Sequence, residues 1–205
     1  MVFFINSSHL SYFPAKTEGV FRWLLKLINV LTGKLIDLYP LEKIDLLTNL
    51  KWANNMELIN LTGIPKFPKT IVELENWYNQ TVLSPNNKFF AIKTKQGEYI
   101  GNVELNALDW VNRSVEIGML IGEQQFWGKG IGKEIVKLLL NYLFKELNLH
   151  RIYLEVIAYN ERAVNLYKKC GFREEGRLRE AYYANGKYWD IILMAMLKKE
   201  FEQIY

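Results

Sequence analysis

Gln125-Phe126-Trp127-Gly128-Lys129-Gly130-Ile131-Gly132 is the stretch on which the reading of this chain turns. It lies between an apolar run, Ser114–Ile121, and a long segment over Gly128–Leu147. In that segment Ile135, Leu138, Leu139, Tyr142, Leu143 and Leu147 recur at helical spacing. Closely spaced glycines let a backbone approach a ligand without Cβ clashes. Successive N–H groups then point into one concavity at the positive end of a helix dipole. That is an anion site, suited to a phosphate or diphosphate. The competing reading is a tight strand-to-helix turn that needs glycine only for its own geometry.

The kind of phosphate ligand is narrowed by what fails. The pattern GxxxxGK[ST] requires Ser or Thr after the lysine, and Lys129 is followed by Gly130. The dinucleotide fingerprint GxGxxG, begun at Gly128, requires glycine where Lys133 stands. Neither mononucleotide hydrolysis nor a dinucleotide cofactor is favoured.

Working outward, Leu35–Leu41 alternates like a strand, and Leu41–Asn54 and Thr70–Val82 read as helices. Lys88–Thr94 and Glu98–Leu105 read as strands around Gln96-Gly97. Beyond the long helix, Ile152–Ala158 is a strand, and Asn160 is a good N-cap for a helix that Gly171 ends. Phe172–Tyr183 and Lys187–Lys198 flank Asn185-Gly186, a two-residue hairpin signal. The alternation of strands and helices makes this an α/β domain over residues 33–205. Residues 1–32 form an N-terminal extension. Within it Val20–Leu31 reads as a short amphipathic helix docked on the domain or loosely held, or else as a partner or membrane-surface helix.

Composition excludes several classes. The chain has 205 residues, half of them hydrophobic (50%) and 14% aromatic, so it can bury a core and is not a disordered chain. Lys and Arg number 26 against 22 Asp and Glu, a net charge of +4 spread along the chain. No basic arm for nucleic acid stands out. One cysteine, Cys170, leaves no internal disulfide framework, and two histidines far apart, His9 and His150, give no metal cluster. No metal is expected, and a reducing cytoplasm is the expected setting. No apolar run reaches the roughly 20 residues of a membrane span. Met1–Ile5 carry no Lys or Arg, so a signal peptide is not expected.

The pattern that the loop does match is Q/R-x-x-G-x-G/A, carried by Gln125, Gly128 and Gly130. NERAVNLYKKCGF (160–172) matches N-x-x-A/S-x-x-L-Y-x-x-x-G-F. On these two signatures the chain resembles the GCN5-related N-acetyltransferases. Glu116-Ile117-Gly118, Glu175-Gly176, Leu178-Arg179-Glu180 and Gly186-x-Tyr188-x-Asp190 are similar to the branch of ribosomal-protein N-terminal and spermidine acetyltransferases. The resemblance spans Lys34 to Lys198. It implies a mixed, mostly antiparallel central sheet with helices on both faces and a splayed strand pair that holds acetyl-CoA.

The resemblance also implies roles. Gln125, Trp127, Gly128, Lys129, Gly130, Ile131, Gly132 and Lys133 would meet the cofactor's phosphate end. Trp127 would stack on it or merely pack, and the two lysines would meet phosphates or simply face solvent. The backbone of Met119, Leu120 and Ile121 would hold the pantetheine arm, and one free N–H there could polarise the thioester carbonyl. Asn160 would contact the cofactor, though it also serves as an N-cap. Tyr167, seven residues on and therefore on the same helix face, would be the general acid. A tyrosine, with a pKa near 10, is still protonated when a thiolate of pKa near 8.5 forms beside it. Glu116 and Glu104 each sit in an apolar strand, where burial raises a carboxyl pKa toward a useful range, and Glu116 is the better candidate for the base because it lies on the strand next to the thioester. A water relay would serve equally. Tyr182, Tyr183, Tyr188 and Trp189 would line the acceptor site or pair across strands.

The expected reaction is acetyl transfer to a primary amine by direct attack in a ternary complex. Three acceptors fit: a protein N-terminus, toward which the branch resemblance leans, a polyamine, or an amino-sugar or other small amine. Glu57, Glu73 and Glu75 could supply the local acidity that a polycation favours. The rival reading is a non-catalytic acyl-CoA-binding or sensor module, which would not need Tyr167. A homodimer is compatible with the sequence but not readable from it.

Overall fold

The computed structural model describes residues 31–63 and 66–205. Its strands are β1 (Leu31–Thr32), β2 (Ile36–Pro40), β3 (Lys88–Thr94), β4 (Tyr99–Asp109), β5 (Ser114–Ile121), β6 (Arg151–Ile157), β7 (Arg173–Ala184) and β8 (Lys187–Leu197). They form one sheet in the order β1-β2-β3-β4-β5-β6-β8-β7. Three helices lie between β2 and β3: α1 (Leu46–Ala53), α2 (Met56–Thr62) and α3 (Ile71–Trp77). Then come α4 (Ile131–Asn141) after β5, α5 (Glu161–Lys169) after β6 and α6 (Lys198–Ile204) after β8.

Strand alternation divides the core between the two faces of the sheet. Ile92, Ile100, Val103, Leu105, Val115 and Ile117 join Ile135, Leu139 and Leu143 of the α4 segment in the main cluster. Val164 and Tyr167 of α5 and Phe201 of α6 complete that side. On the opposite face Phe89 and Ala91 pack with Leu41, Leu46, Tyr78 and Val82. The fold is therefore the mixed sheet with helices on both faces that the sequence led us to expect.

Every neighbouring pair in the sheet is antiparallel except β5 with β6. That parallel pairing lasts three residues: Ser114 with Arg151, Val115 with Ile152 and Glu116 with Tyr153. Beyond it β5 stays on β4 as far as Ile121, while β6 stays on β8 as far as Ile157. The two strands thus part from Ile117 and Leu154 onward, and the sheet opens at its centre.

Several elements differ from the sequence reading. Leu31, the last residue of the stretch read as helix, opens β1 and pairs with Leu38; the rest of that stretch and of the N-terminal extension lies outside the described residues. Thr70–Val82 is α3 followed by a wider π-type turn over Tyr78–Val82, and the long helix likewise ends in a π-type turn over Tyr142–Glu146. Helices α2 and α6 went unread. The signal for α2 is at its ends: Asn55 Oδ1 accepts from the N–H groups of Glu57 (3.0 Å) and Leu58 (3.4 Å), and Gly63 closes the helix in the left-handed region at φ 73°. Among the described residues no helix is long and apolar enough to cross a membrane.

Candidate active site

A cavity of about 500 Å³ lies against the end of β5, beyond the point where it parts from β6. Met119, Leu120 and Ile121 form its strand side, and the loop and first turn of α4 form its end. Asn160 with one face of α5 makes a third side, and Leu58, Leu61 and Thr62 of α2 make the last. Of the residues the sequence singled out for the cofactor, Met119, Leu120, Ile121, Trp127, Gly128, Gly130, Ile131, Gly132, Lys133 and Asn160 all line it, and so does Tyr167.

The loop's conformation requires its glycines. Gly128 (φ 73°) and Gly130 (φ 81°) are left-handed, and the space around both is open. The constraint is backbone conformation, which a Cβ would strain, not crowding. Gly130 is the N-cap of α4 and supplies no side chain to cap it, so the first-turn N–H groups are free of a side-chain acceptor. Trp127 is pinned: its Nε1 donates to the Ile121 carbonyl at 2.7 Å, and the Arg162 guanidinium lies 3.5 Å from its ring centroid.

Asn160 does two jobs. Its Oδ1 accepts from the Ala163 N–H (3.2 Å), capping α5, and its Nδ2 donates to the Leu61 carbonyl at the end of α2 (3.3 Å). The Tyr159 hydroxyl donates to the Asn60 carbonyl, and the Tyr182 hydroxyl to that of Ile59 at 3.3 Å. Three consecutive carbonyls of α2 are thus held by side chains from across the cleft, which fixes the α2 wall of the cavity.

Tyr167 is 6% exposed and meets Phe172 edge-on, with ring centroids 5.6 Å apart. Burial, then the neighbouring Cys170, pushes its hydroxyl well above the usual tyrosine range. That hydroxyl bonds to no other described residue.

The carboxylates lie on the opposite face of β5 from the main core. Glu104 pairs with Gly118, and Asn106 with Glu116. The Glu104 Oε2 lies over Gly118, 3.4 Å from where a side chain there would begin. Burial raises the Glu104 pKa, opposed by the Asn106 amide (3.3 Å) and reinforced by Glu116. Burial, then Glu155, raises that of Glu116. Glu116 belongs to the paired part of β5 and does not line the cavity; it stands before the strands part.

Two other expected residues are turned elsewhere. Gln125 Nε2 donates to Glu98 at 3.4 Å, and Lys129 Nζ sits 5.5 Å from the Phe126 ring centroid. Neither lines the cavity. The sequence reading missed Arg162 and Lys169, which do. Their signal was their spacing: 162, 165, 166 and 169 fall on one face of α5.

The sheet opened at its single parallel pair, with a left-handed glycine loop and a buried tyrosine at the opening, is the arrangement that the resemblance to the acetyltransferases implied. Residues 36–173 match the family model described as an acetyltransferase (GNAT) domain, and the chain belongs to that family. Among its relatives, a spermidine N(1)-acetyltransferase of Vibrio cholerae is 38% identical over 129 residues, 63% of this chain and 74% of that protein. One from Escherichia coli K12 is 31% identical over 166 residues, 81% of this chain and 88% of that protein. A crystal structure of the Vibrio cholerae spermidine N-acetyltransferase with CoA and spermine matches with a TM-score of 0.76 at 34% identity. The match covers 82% of this chain and 98% of that one. The chain is an N-acetyltransferase of this fold.

Proposed function

We propose that this enzyme moves the acetyl group of acetyl-CoA onto a primary amine of a polyamine, by direct attack in a ternary complex. The observation that carries the donor assignment is the cavity at the parted β5–β6 pair. It has a donor-rich loop at one end, Tyr167 in its wall and no carboxylate among its lining residues. An acyl thioester with a phosphate-bearing tail suits that arrangement.

The chemistry follows from the residues. The amine nitrogen attacks the thioester carbonyl carbon, the C–S bond breaks, and the thiolate takes the Tyr167 proton. Burial keeps that tyrosine protonated, so its proton is in place for the thiolate as the C–S bond breaks. The amine's proton passes to Glu116, directly or through water, since its raised pKa keeps it a competent base. Positioning supplies much of the rate, because the acyl group arrives already activated.

For the acceptor, the sequence leaned toward a protein N-terminus. Two considerations favour a polyamine instead. Both relatives named above are spermidine acetyltransferases. Glu104, Glu116 and Glu155 share one face of the sheet beside the opening; Glu116 helps raise the pKa of Glu104, and Glu155 helps raise that of Glu116. Carboxylates that resist sharing negative charge are relieved by a cation.

The test is release of free CoA thiol from acetyl-CoA with three separate acceptor pools: polyamines, short peptides with free N-termini, and amino-sugars with small amines. Acceleration by polyamines alone is the expected result. Acceleration by peptides alone moves the acceptor to a protein N-terminus. Acetyl-CoA binding without turnover in any pool returns the chain to a binding module.

A further inference from the structure

Arg162 lies in the first turn of α5 and lines the cavity, with its guanidinium carbon over the Trp127 ring, 3.5 Å from the ring centroid. Burial lowers its pKa, opposed only by the more remote Glu57. Among the described residues no carboxylate stands within ion-pair distance of it. The guanidinium is open to solvent on the cavity side and has no carboxylate partner, so its N–H donors are available to an anion that enters the cavity. The charge cannot be relieved by losing a proton, since arginine stays protonated in proteins.

Trp127 gives this cation a fixed place. Its indole N–H is spent on the Ile121 carbonyl and one ring face carries Arg162. The stack therefore holds the planar fork of Arg162 at the start of the glycine loop, immediately before the left-handed Gly128. A stacked guanidinium keeps its in-plane N–H donors free for a bidentate oxyanion. Of the other cations lining the cavity, Lys133 stands in the first turn of α4, on the loop side, and Lys169 is seven residues, about 10 Å of helix, from Arg162.

We propose that Arg162, held by Trp127, is a cofactor-specificity residue that closes over the diphosphate of CoA from the α5 side while the loop N–H groups hold it from the α4 side. This rests on the acetyl-CoA reading above. It gives Trp127 the role of platform for a cation, not for the adenine ring.

The test is calorimetric binding of CoA and dephospho-CoA to the full chain and to Arg162→Gln, with pantetheine followed by ligand-observed NMR. Loss of one charge-assisted bond predicts about 10- to 100-fold weaker binding of CoA and of dephospho-CoA alike, with pantetheine unaffected. The affinity for CoA also becomes less sensitive to salt, because one charge contact that ions screen has been removed. Trp127→Leu, which keeps the charge but removes its platform, gives a smaller loss in the same pattern. Weakening of CoA alone assigns Arg162 to the 3′-phosphate and overturns the proposal. Equal weakening of pantetheine shows a collapsed cavity and also overturns it. Unchanged affinity in Arg162→Gln overturns it while leaving the acetyltransferase reading intact; a wild-type chain that binds no CoA overturns both.

Discussion

Gly122 lies against the face of Trp52: a methyl group added at Gly122 would stand 2.2 Å from the ring. Trp52 is 4% exposed, donates through Nε1 to Glu123 at 3.1 Å and leans on Tyr99 with ring centroids 4.8 Å apart. Helix α1 thereby clamps the chain just where β5 ends and the loop begins. Gly122→Ala must push the indole aside, an overpacking that typically costs about 1–3 kcal/mol. The denaturant midpoint should fall accordingly with an unchanged slope. KM for acetyl-CoA should rise as well, because the neighbouring Ile121 carbonyl holds Trp127. A midpoint equal to wild type would mean that Trp52 is not fixed against this backbone.

Tyr167→Phe keeps the ring against Phe172 and removes only the hydroxyl. With no bond lost to another described residue, stability should change little. On the proposal that Tyr167 is the acid, kcat should fall about 10²- to 10⁴-fold while the affinity for CoA is retained. Calorimetry with CoA alongside steady-state kinetics separates the two. Unchanged turnover would remove Tyr167 from the chemistry.

Glu116 and Glu155 give a prediction in pH. A base must be ionised to act, so if Glu116 is the base, as proposed, kcat/KM should fall as pH drops through its raised pKa, above its ordinary value near 4.5. Removing the like charge in Glu155→Gln lowers the Glu116 pKa and should move the acid limb toward lower pH. Glu116→Gln should abolish that limb and lower kcat. A limb that ignores both substitutions belongs to another group, or to the amine acceptor itself.

Glu104 makes the same physics visible in stability. Its pKa is raised in the folded protein, chiefly by burial. Its contribution is therefore fully present below the unfolded value near 4.5 and is lost as pH rises through the folded one. Glu104→Gln cannot ionise and so escapes that loss. Its Tm should exceed that of wild type by a few degrees at pH 8, and the gap should close near pH 4. A wild type of equal stability at pH 8 would show that the carboxylate ionises there without cost.

The legibility of the site in the sequence was uneven for definite reasons. The glycine loop and the Asn160–Tyr167 helix carry strong local rules: left-handed backbone at Gly128 and Gly130, an N-cap, and a two-turn spacing. The parted strands were legible only by resemblance, since nothing local in Ile117 or Leu154 says that they cease to pair. Helix α2 was missed because seven residues hold too few apolar repeats for a period, although its cap residues were in view. Arg162 was missed because charge at an exposed-looking helix position is ordinary. Only the fold shows that Trp127, thirty-five residues earlier, lies beneath it.

Asn160 joins those levels, and two substitutions can separate what it does. Asn160→Ala removes both the cap of α5 and the donor to the Leu61 carbonyl. Asn160→Asp keeps an acceptor for the Ala163 N–H but has no donor for Leu61, and at neutral pH it sets a negative charge against that carbonyl. Loss of an N-cap costs about 1 kcal/mol, so Asn160→Ala should be less stable than Asn160→Asp by about that amount. The end of α2 is released in both, and only Tyr159 and Tyr182 still hold it. Amide exchange over Met56–Thr62 should therefore accelerate to a similar degree in the two variants, and KM for acetyl-CoA should rise in both because α2 supplies a wall of the cavity. If instead exchange in α2 tracks global stability, faster in the alanine variant alone, then Asn160 is a helix cap only and the α2 wall is held without it.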